Sequence, residues 1–287
     1  MKQKKLKRIF SLNKKKQIAV IRLSGVIGKM GRTSSGMSLE NLKHLDDLKK
    51  IKNLQAIALL INSPGGSPVQ SELICKKIQN LAKEYNQKTK KKLPIYAFCE
   101  DVAASGGYFL ACCADKIYAS NSSIIGSIGV ISSGFGFNET IKKLGIERRI
   151  HTQGKNKAIL DPFSPEKKED IAIISTIQKD IHDEFINIVK NSRKTKLTGK
   201  DSDIFNGKFW SGKEALKLGL IDEIGYFEDV LKEEYGDKIN FKYLTQPKGF
   251  FQKKFNLSSS QDNMAQKITS EISSQISEFL SWRKFDL

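Results

Sequence analysis

Apolar residues in this chain fall into two patterns, short continuous runs and longer stretches with helical spacing, and together they predict strands that alternate with helices. Continuous β-prone runs predict strands over residues 17–23, 56–61, 95–99 and 116–119. Helical spacing predicts helices over residues 39–51, 69–81 and 165–190, and a short capped helix over 209–216. The predicted apolar face of the second helix is Val69, Leu73, Ile74, Ile78 and Leu81, and the apolar stripe of the third is Ile171, Ile174, Ile177, Ile181, Phe185, Ile188 and Val189. Strands and helices in this order are typical of layered β-β-α or βαβ units, so the expected fold class is α/β.

The chain divides into three regions by composition. Residues 1–16 form a basic tail, residues 17–245 carry the predicted strands and helices, and residues 246–287 contain a basic linker followed by a helix. The last region repeats an apolar residue every fourth position, at Met264, Ile268, Ile272, Ile276 and Leu280. This spacing predicts an amphipathic C-terminal helix, which fits a packing arm, a partner-binding element or a membrane-surface element.

The formal net charge of +18 is concentrated at the start of the chain. No acidic residue occurs before Glu40, whereas lysine and arginine crowd the basic tail. Such a run is a solvated tail or a patch attracted to anionic lipid, where each basic residue contributes about 1 kcal/mol near the membrane surface. Because no recognition motif interleaves these charges with aromatic residues, nucleic acid is not an expected partner.

The expected location follows from segments that the sequence lacks. No stretch approaches the roughly 20 apolar residues that span a bilayer, and Ile9–Leu12 is too short for a secretory signal. Cys75, Cys99, Cys112 and Cys113 lie in apolar contexts without metal-ligand spacing, so we interpret them as reduced core residues. The expected location is therefore cytoplasmic, with the basic tail free to contact the inner face of the membrane, and no metal is expected.

The candidate chemistry centres on Ser105, a serine between small residues in the stretch VAASGGYF (102–109). Small neighbours allow a second backbone and a substrate to approach its hydroxyl closely, which suits a nucleophile. The alternative is a tight turn that closes a buried helix. A nucleophilic serine needs a base, and His44, His151 and His182 keep a Ser-His-Asp triad open, although no Gly-x-Ser-x-Gly signature is present.

Lysine is the second candidate base. A lysine accepts a proton only in its neutral form, which requires apolar or positively charged surroundings that lower its pKa. In the stretch TQGKNKAIL (152–160), Lys157 leads into apolar residues, whereas Lys155 is expected to stay solvated. In a chain this rich in lysine, both are also consistent with ordinary surface residues.

Five motifs occur in an order that resembles one peptidase family. They are INSPGG (61–66), AASGGY (103–108), GSIGV (126–130), GKNK (154–157) and GKEALKLGLID (212–222). In this order they resemble the signal peptide peptidase A family of serine peptidases, and the chain looks like a short, single-copy member. The likeness covers about residues 18–225, and five ordered motifs are far more specific than one glycine loop.

The resemblance implies a ClpP/crotonase-like fold of repeated β-β-α units and a Ser-Lys dyad. It assigns Ser105 as the nucleophile, Lys157 as the general base and Ser127 as the residue that orients this lysine. The implied oxyanion hole involves Gly65, Gly66 and Gly106, with the N–H groups of Gly65 and Gly106 as the expected donors. Glycines expose their N–H groups, and one such donor contributes about 3 kcal/mol of transition-state stabilisation. The implied reaction needs no metal or cofactor.

The resemblance also implies peptide substrates, in signal peptides or in other membrane-derived or short peptides. Longer relatives contain two tandem copies with the dyad split between them, so a single-copy chain is expected to form a ring-like homo-oligomer with active sites near subunit interfaces. Members of the family commonly carry an N-terminal transmembrane helix, whereas this sequence shows only a basic tail. This departure leaves the compartment and the signal-peptide substrate open.

Two other functions stay open at the level of sequence. A crotonase-type enzyme acting on acyl-CoA shares the glycine loops and uses carboxylates, for which Glu100 and Asp101 are available. A catalytically inactive scaffold would use the basic tail and the C-terminal helix to bind a membrane surface or a partner. The peptidase is favoured because the serine, the lysine and the oxyanion glycines occur together.

Overall fold

The computed structural model describes residues 15–28 and 36–244. The strands are β1 (Gln17–Ser24), β2 (Leu54–Ser63), β3 (Ile95–Ala104), β4 (Lys116–Ala119), β5 (Ile124–Gly126), β6 (Phe209–Ser211), β7 (Glu223–Ile224) and β8 (Asn240–Leu244). The helices are the 3-10 helix α1 (Leu39–Lys50), then α2 (Pro68–Thr89), α3 (Gly106–Ala111), α4 (Asn138–Lys143), α5 (Lys168–Arg193), α6 (Asp201–Ile204), α7 (Gly212–Lys217) and α8 (Phe227–Tyr235). The predicted C-terminal helix and residues 1–14 of the basic tail lie outside the described residues. Within the described ranges, no helix is long and apolar enough to cross a lipid bilayer.

The strands form one sheet in the order β6-β5-β3-β2-β1-β8, with β4 attached to β3 and β7 attached to β4. Every described strand pair is parallel except β5 with β6. The central strands are apolar on both sides because both faces of the sheet are covered. Helices α1, α2, α3 and α5 pack on one face, and α8 packs on the other. The carboxyl ends of the parallel strands meet at one edge, where α/β sheets usually place their sites.

Strand β3 is longer than predicted because it changes neighbour halfway along. Its first part, Tyr96–Cys99, pairs with β4, and its last part, Val102–Ala104, pairs with β5. The apolar run is interrupted by Glu100 and Asp101, which is why the sequence pattern ends the strand early. The extension carries the chain directly to Ser105.

The segment predicted as the start of a short helix begins as a strand. Phe209–Ser211 pair antiparallel with β5 and form the strand β6 at the edge of the sheet. The helix α7 follows at once, and Ser211 caps it by accepting a hydrogen bond from Glu214 N–H at 3.4 Å. The predicted cap is therefore present, three residues later than the pattern suggests.

Two predicted helices have the right position but a different buried face. The prediction that Val69 and Leu73 share the buried face of α2 is wrong, because they are 61% and 38% exposed. The buried residues of α2 are Ser71, Ile74, Cys75, Ile78, Leu81 and Ala82. In α5, Ile171 and Ile177 belong to the predicted apolar stripe but are 44% and 48% exposed. Both helices therefore carry apolar side chains that residues 15–28 and 36–244 leave exposed.

The prediction that all four cysteines are reduced is wrong for one pair. Cys75 on α2 and Cys113, just after α3, form a disulfide with their Cα atoms 5.6 Å apart, while Cys99 and Cys112 are buried free thiols. The two bonded cysteines are 38 residues apart in the sequence, and packing of α2 against α3 brings them together. The disulfide removes the support that reduced cysteines gave to a cytoplasmic location.

The end of α5 is anchored by a buried ion pair. Arg193 is 1% exposed and donates to Asp222 at 2.8 and 3.1 Å and to Gly219 O at 2.8 Å. Asp222 also accepts from Ile117 N–H and from Lys196. Burial alone would raise the pKa of Asp222, but the hydrogen bonds from Arg193 and Lys196 outweigh burial and lower that pKa to about 2. The last residue of the GKEALKLGLID motif thus joins α5 to the start of β4.

Candidate active site

Ser105 lies at the junction of β3 and α3 in a strained backbone conformation. Its φ of 52° and ψ of −122° are rare for a residue with a side chain and typically cost about 1–3 kcal/mol. Two hydrogen bonds hold it there, from Ser105 N–H to Gly126 O at 2.7 Å and from Phe109 N–H to Ser105 O at 3.0 Å. Strain of this kind clusters at functional sites. The half-buried serine thus has the sharp strand-to-helix turn that exposes a nucleophile.

The loop after β2 approaches Ser105 so closely that only glycine fits. A Cβ on Gly65 would lie 2.7 Å from Ser105 Cβ and 2.8 Å from Gly106 N, and a Cβ on Gly66 would lie 2.1 Å from Ile27 O. Both loop glycines also have a positive φ, 106° and 141°, which side chains disfavour. On its other side the loop is held by Ile27 N–H, which donates to Gly65 O at 2.8 Å.

The three glycines predicted for the oxyanion hole differ in whether their N–H groups are hydrogen-bonded. The Gly65 N–H donates to Ser63 Oγ at 3.2 Å. Among the described residues, the N–H groups of Gly66 and Gly106 have no hydrogen-bond acceptor. Gly66 is exposed, and Gly106 directly follows Ser105. Unpaired amides beside a serine are able to bind a developing oxyanion, whereas Gly65 serves by allowing the two chain segments to touch.

Ser127 follows β5 directly and leaves the sheet beside Ser105. Ala104 pairs with Gly126, so the serines that come next in each segment depart from adjacent parallel strands at the same edge. Ser127 is buried, with 4% exposure, and its N–H donates to Lys208 O at 2.7 Å. The structure therefore brings Ser105, Ser127 and the glycine loop together at the carboxyl edge of the sheet.

Sequence reasoning overlooks two buried serines that shape this site. Ser63 Oγ donates to Gly25 O at 2.7 Å and accepts from the loop amide, which ties the glycine loop to the end of β1. Ser71 Oγ lies against Gly106, where an added Cβ would be 2.7 Å from it. Membership of the INSPGG motif is the only feature of the sequence that points to a role for Ser63 at the site. No feature of the sequence points to Ser71, because a serine inside a helix is usually a surface residue.

Lys157 stands apart from the other predicted site residues. It lies in a turn where its N–H donates to Gly154 O at 3.1 Å, and its side chain is exposed. Its side chain forms no hydrogen bond or ion pair with any residue in the part of the chain that the structure describes. One chain therefore assembles the serines and the glycines, but it does not join the lysine to them.

The predicted base belongs to an arm, residues 131–166, that leaves the sheet after β5. The two ends of the arm are joined by a hydrogen bond from Phe137 N–H to Pro162 O at 2.6 Å. An ion pair between Arg148 and Asp161 at 3.0 Å and the packing of Arg148 over the Phe163 ring at 4.9 Å close the arm further along. Contacts between residues of the arm thus hold it in a defined conformation.

The arm presents apolar side chains to solvent when the chain is alone. The most exposed are Ile131, Phe135, Leu144 and Ile146, at 83%, 76%, 68% and 55%. Helix α4, which lies within the arm, buries none of its residues. Accumulated exposed apolar side chains mark interaction surfaces rather than the surfaces of monomers. The arm therefore has the composition of a protein interface.

The alternative chemistries require a histidine or carboxylates at the candidate nucleophile. His182 Nε2 lies 3.2 Å from a backbone carbonyl, and no described histidine is hydrogen-bonded to the candidate nucleophile. Glu100 pairs with Arg22 at 2.6 Å, and Asp101 accepts from Asn62 Nδ2 at 2.7 Å. Across residues 15–28 and 36–244, no group of His, Cys, Asp and Glu is arranged to hold a metal ion.

Comparison with known proteins gives related sequences over most of the chain. The sequence profile described as peptidase family S49 matches residues 87–238. A Brucella abortus protein named Na(+)/H(+) antiporter NhaA is 46% identical over 241 residues, which cover 83% of this chain and 32% of that protein. An Arabidopsis thaliana protein named serine protease SPPA, chloroplastic, is 32% identical over 215 residues, which cover 73% of this chain and 30% of that protein. The chain spans about a third of the length of these relatives.

Among solved structures, this chain is similar to a mutant of a membrane-bound stomatin-specific protease. The TM-score is 0.50 at 16% identity, and the match covers 82% of this chain and all of the other. At this identity the likeness shows the fold alone, and it confirms the predicted ClpP/crotonase-like α/β fold. The family profile covers more than half of the residues, and the five ordered motifs fall on the elements just described. The chain belongs to peptidase family S49.

Proposed function

We propose that this chain is a serine endopeptidase with Ser105 as nucleophile and Lys157 as general base. The observation that carries the proposal is the strained turn at Ser105, against which Gly65 packs so closely that a Cβ would lie 2.7 Å away. Membership of a peptidase family and similarity to a relative named a serine protease support the same reaction class.

The proposed reaction starts with proton transfer from Ser105 Oγ to the neutral amine of Lys157 while the oxygen attacks a peptide carbonyl. The charge that develops on the carbonyl oxygen is stabilised by the unpaired amides of Gly66 and Gly106, at about 3 kcal/mol for each donor. The ammonium then gives its proton to the leaving amine, and an acyl-enzyme forms. Water hydrolyses this ester with the same lysine as base, and Ser127 orients the lysine amine.

We infer that the dyad is completed in a homo-oligomer, with the lysine supplied across a subunit interface. In the single chain the Lys157 side chain is exposed and forms no hydrogen bond or ion pair with any described residue. The arm that carries it presents apolar side chains such as Ile131 and Phe135 to solvent. Packing of the arm on a neighbouring subunit would cover these side chains and bring the amine into a drier environment, where the neutral form is favoured.

The proposed substrates are peptides, in particular signal peptides or other membrane-derived or short peptides. Exposed apolar side chains beside the glycine loop, Val69 and Leu73, suit the apolar character of such segments. The proposed location is a membrane surface, with peripheral contact through basic surface of the protein. The covered share of the relatives is too small to transfer any other activity to this chain.

A serine-reactive fluorophosphonate probe tests the nucleophile directly. We expect covalent labelling at Ser105, located by peptide mass mapping, and loss of the label in Ser105→Ala. The matched control is Ser122→Ala, an exposed serine close to the start of β5, which should be labelled like the wild type. A folded wild-type oligomer that stays unlabelled at Ser105 would overturn the peptidase proposal and favour an acyl-CoA enzyme or an inactive scaffold.

A further inference from the structure

The edge of the sheet opposite the candidate active site is rich in lysine. In this parallel sheet the beginnings of the strands lie side by side, since Gln17 is paired with both Leu54 and Asn240, and Ile57 with Ile95. Lysines precede or open five of these strands. We name them together the basic edge: Lys15, Lys16, Lys50, Lys52, Lys90, Lys91, Lys92, Lys116 and Lys238.

Most of the charge on the basic edge is not neutralised. All of its lysines are exposed. Lys50 pairs with Asp47 at 2.6 Å and Lys92 pairs with Asp115 at 2.7 Å, while Lys16 Nζ donates to the carbonyl oxygen at the end of α8. The others form no ion pair with any described residue. The basic edge therefore presents an excess of positive charge to solvent.

The opposite edge of the sheet has a different charge pattern. There Arg22, at the end of β1, pairs with Glu100 at 2.6 Å, and Asp101 accepts a hydrogen bond from Asn62.

Helix ends account for two lysines of the basic edge. Lys50 and Lys90 lie at the ends of α1 and α2, where a positive charge complements the negative end of the helix. Helix ends do not account for Lys116, which opens a strand. The basic edge therefore lies at the beginnings of the parallel strands, opposite the ends that hold Ser105.

We propose that the basic edge docks this protein on a bilayer surface that contains anionic phospholipid. Its charge comes from lysine alone, whereas base-specific recognition of nucleic acid commonly adds arginine at base edges and aromatic rings for stacking. Diffuse lysine charge at a surface is sufficient for attraction to anionic lipid. The described part of the basic tail, Lys15 and Lys16, belongs to this edge.

Docking in this way sets the direction of the candidate active site. The carboxyl ends of the parallel strands, with Ser105 among them, point away from the edge that contacts lipid. On the basis of the proposed function, peptides would reach the serine from the aqueous side rather than laterally from the bilayer. This orientation deepens the proposed peripheral location by naming the surface that faces the lipid.

The test is vesicle co-sedimentation of the full chain, with phosphatidylcholine vesicles with and without phosphatidylserine. The edge variant is Lys52→Gln/Lys91→Gln/Lys238→Gln, which removes three lysines without an ion-pair partner among the described residues. We expect its partition onto anionic vesicles to fall by about fivefold for each lysine, or about a hundredfold in total. Binding of the wild type should weaken as salt is added.

The matched control variant is Lys167→Gln/Lys168→Gln/Lys213→Gln. These lysines are also exposed but lie at the starts of α5 and α7, away from the basic edge. The control should keep most of its vesicle binding, and both variants should unfold at the wild-type temperature. Equal loss in both variants, or no binding of the wild type to anionic vesicles, would overturn the proposal. So would an edge variant that keeps vesicle binding but loses binding to a DNA duplex.

Peptide cleavage measured in parallel separates this inference from the proposed function. Without vesicles, the edge variant should cleave a soluble peptide at the wild-type rate, because none of its lysines belongs to the candidate active site. A wild type that binds anionic vesicles through the basic edge but cleaves no peptide would refute the peptidase and support the docking surface.

Discussion

Ser105 and Ser127 both have a positive φ, 52° in each, directly after two adjacent parallel strands. The strands are joined at this point by a hydrogen bond from Ser105 N–H to Gly126 O at 2.7 Å. Two strained non-glycine residues side by side indicate that the surrounding structure determines both conformations. The candidate nucleophile and the serine proposed to orient its base are therefore held as one unit by the sheet.

The contact between Gly65 and Ser105 predicts that Gly65→Ala inactivates the site. The new Cβ would lie 2.7 Å from Ser105 Cβ and 2.8 Å from Gly106 N, so one of the two segments must shift. A displacement of about 1 Å at a catalytic group costs about a hundredfold in rate. We therefore expect kcat to fall by about a hundredfold or more and fluorophosphonate labelling to slow in parallel.

A matched glycine distinguishes the clash from backbone strain. Gly236 also has a positive φ, 89°, but an added Cβ there would meet no atom within 4 Å. Gly236→Ala should therefore lose a little stability and keep its activity. If Gly65→Ala cleaves peptide as fast as Gly236→Ala, the close approach at Ser105 does not matter for the reaction.

Much of the sheet is predictable because its physical cause is local. Strands covered on both faces need continuous apolar runs, so β1, β2 and β4 are visible in the sequence. The last part of β3 and the strand β6 are not, because they depend on pairing with β5, which is only three residues long. A strand this short has no periodicity to detect, and its partners follow from tertiary packing.

The candidate site also has some features that the sequence predicts and others that it does not. Glycine motifs are visible because close approach of two backbones requires glycine at fixed positions, as at Gly65. The roles of Ser63 and Ser71 depend on hydrogen bonds and contacts between separate elements, which no single motif records. Lys157 makes no contact with Ser105 among the described residues, so the sequence suggests the pair only through family resemblance.

The buried pair of Arg193 and Asp222 predicts a large loss of stability in Asp222→Asn. This variant leaves the guanidinium of Arg193, which is 1% exposed, without its counter-charge. Removal of one partner from a buried ion pair typically costs about 3–5 kcal/mol. We expect a loss of about 3 kcal/mol in the free energy of unfolding, measured by urea denaturation at neutral pH. Glu214→Gln breaks an exposed pair with Lys217 and should cost less than about 1 kcal/mol.

The same pair predicts how this loss depends on pH. The folded-state pKa of Asp222, about 2, lies below its ordinary value of 3.8, so the carboxylate adds stability above pH 3.8 and loses it as the pH falls towards 2. The difference in unfolding free energy between wild type and Asp222→Asn should therefore shrink across this interval. A difference that stays constant from neutral pH down to pH 2 would contradict the assigned ion pair.

The proposed base predicts that Lys157→Arg is inactive although it keeps the positive charge. A guanidinium stays protonated at every relevant pH and cannot take the serine proton. Loss of a general base lowers kcat/KM by about a hundredfold or more, and fluorogenic peptide cleavage measures it. Lys155→Arg, two residues away in the same GKNK motif, should retain wild-type activity. An active Lys157→Arg would exclude this lysine as the base.

The exposure of Lys157 in the single chain predicts that two inactive variants complement each other. When Ser105→Ala and Lys157→Ala chains are co-expressed, random assembly places an intact serine next to an intact lysine at about a quarter of the interfaces of a closed ring. Peptidase activity should therefore recover to about a quarter of the wild-type value, whereas each variant alone stays inactive. Different affinity tags on the two variants, purified in sequence, show whether mixed assemblies form. Mixed assemblies without recovered activity would mean that the dyad is built within one chain, which would require the arm to fold back onto its own sheet.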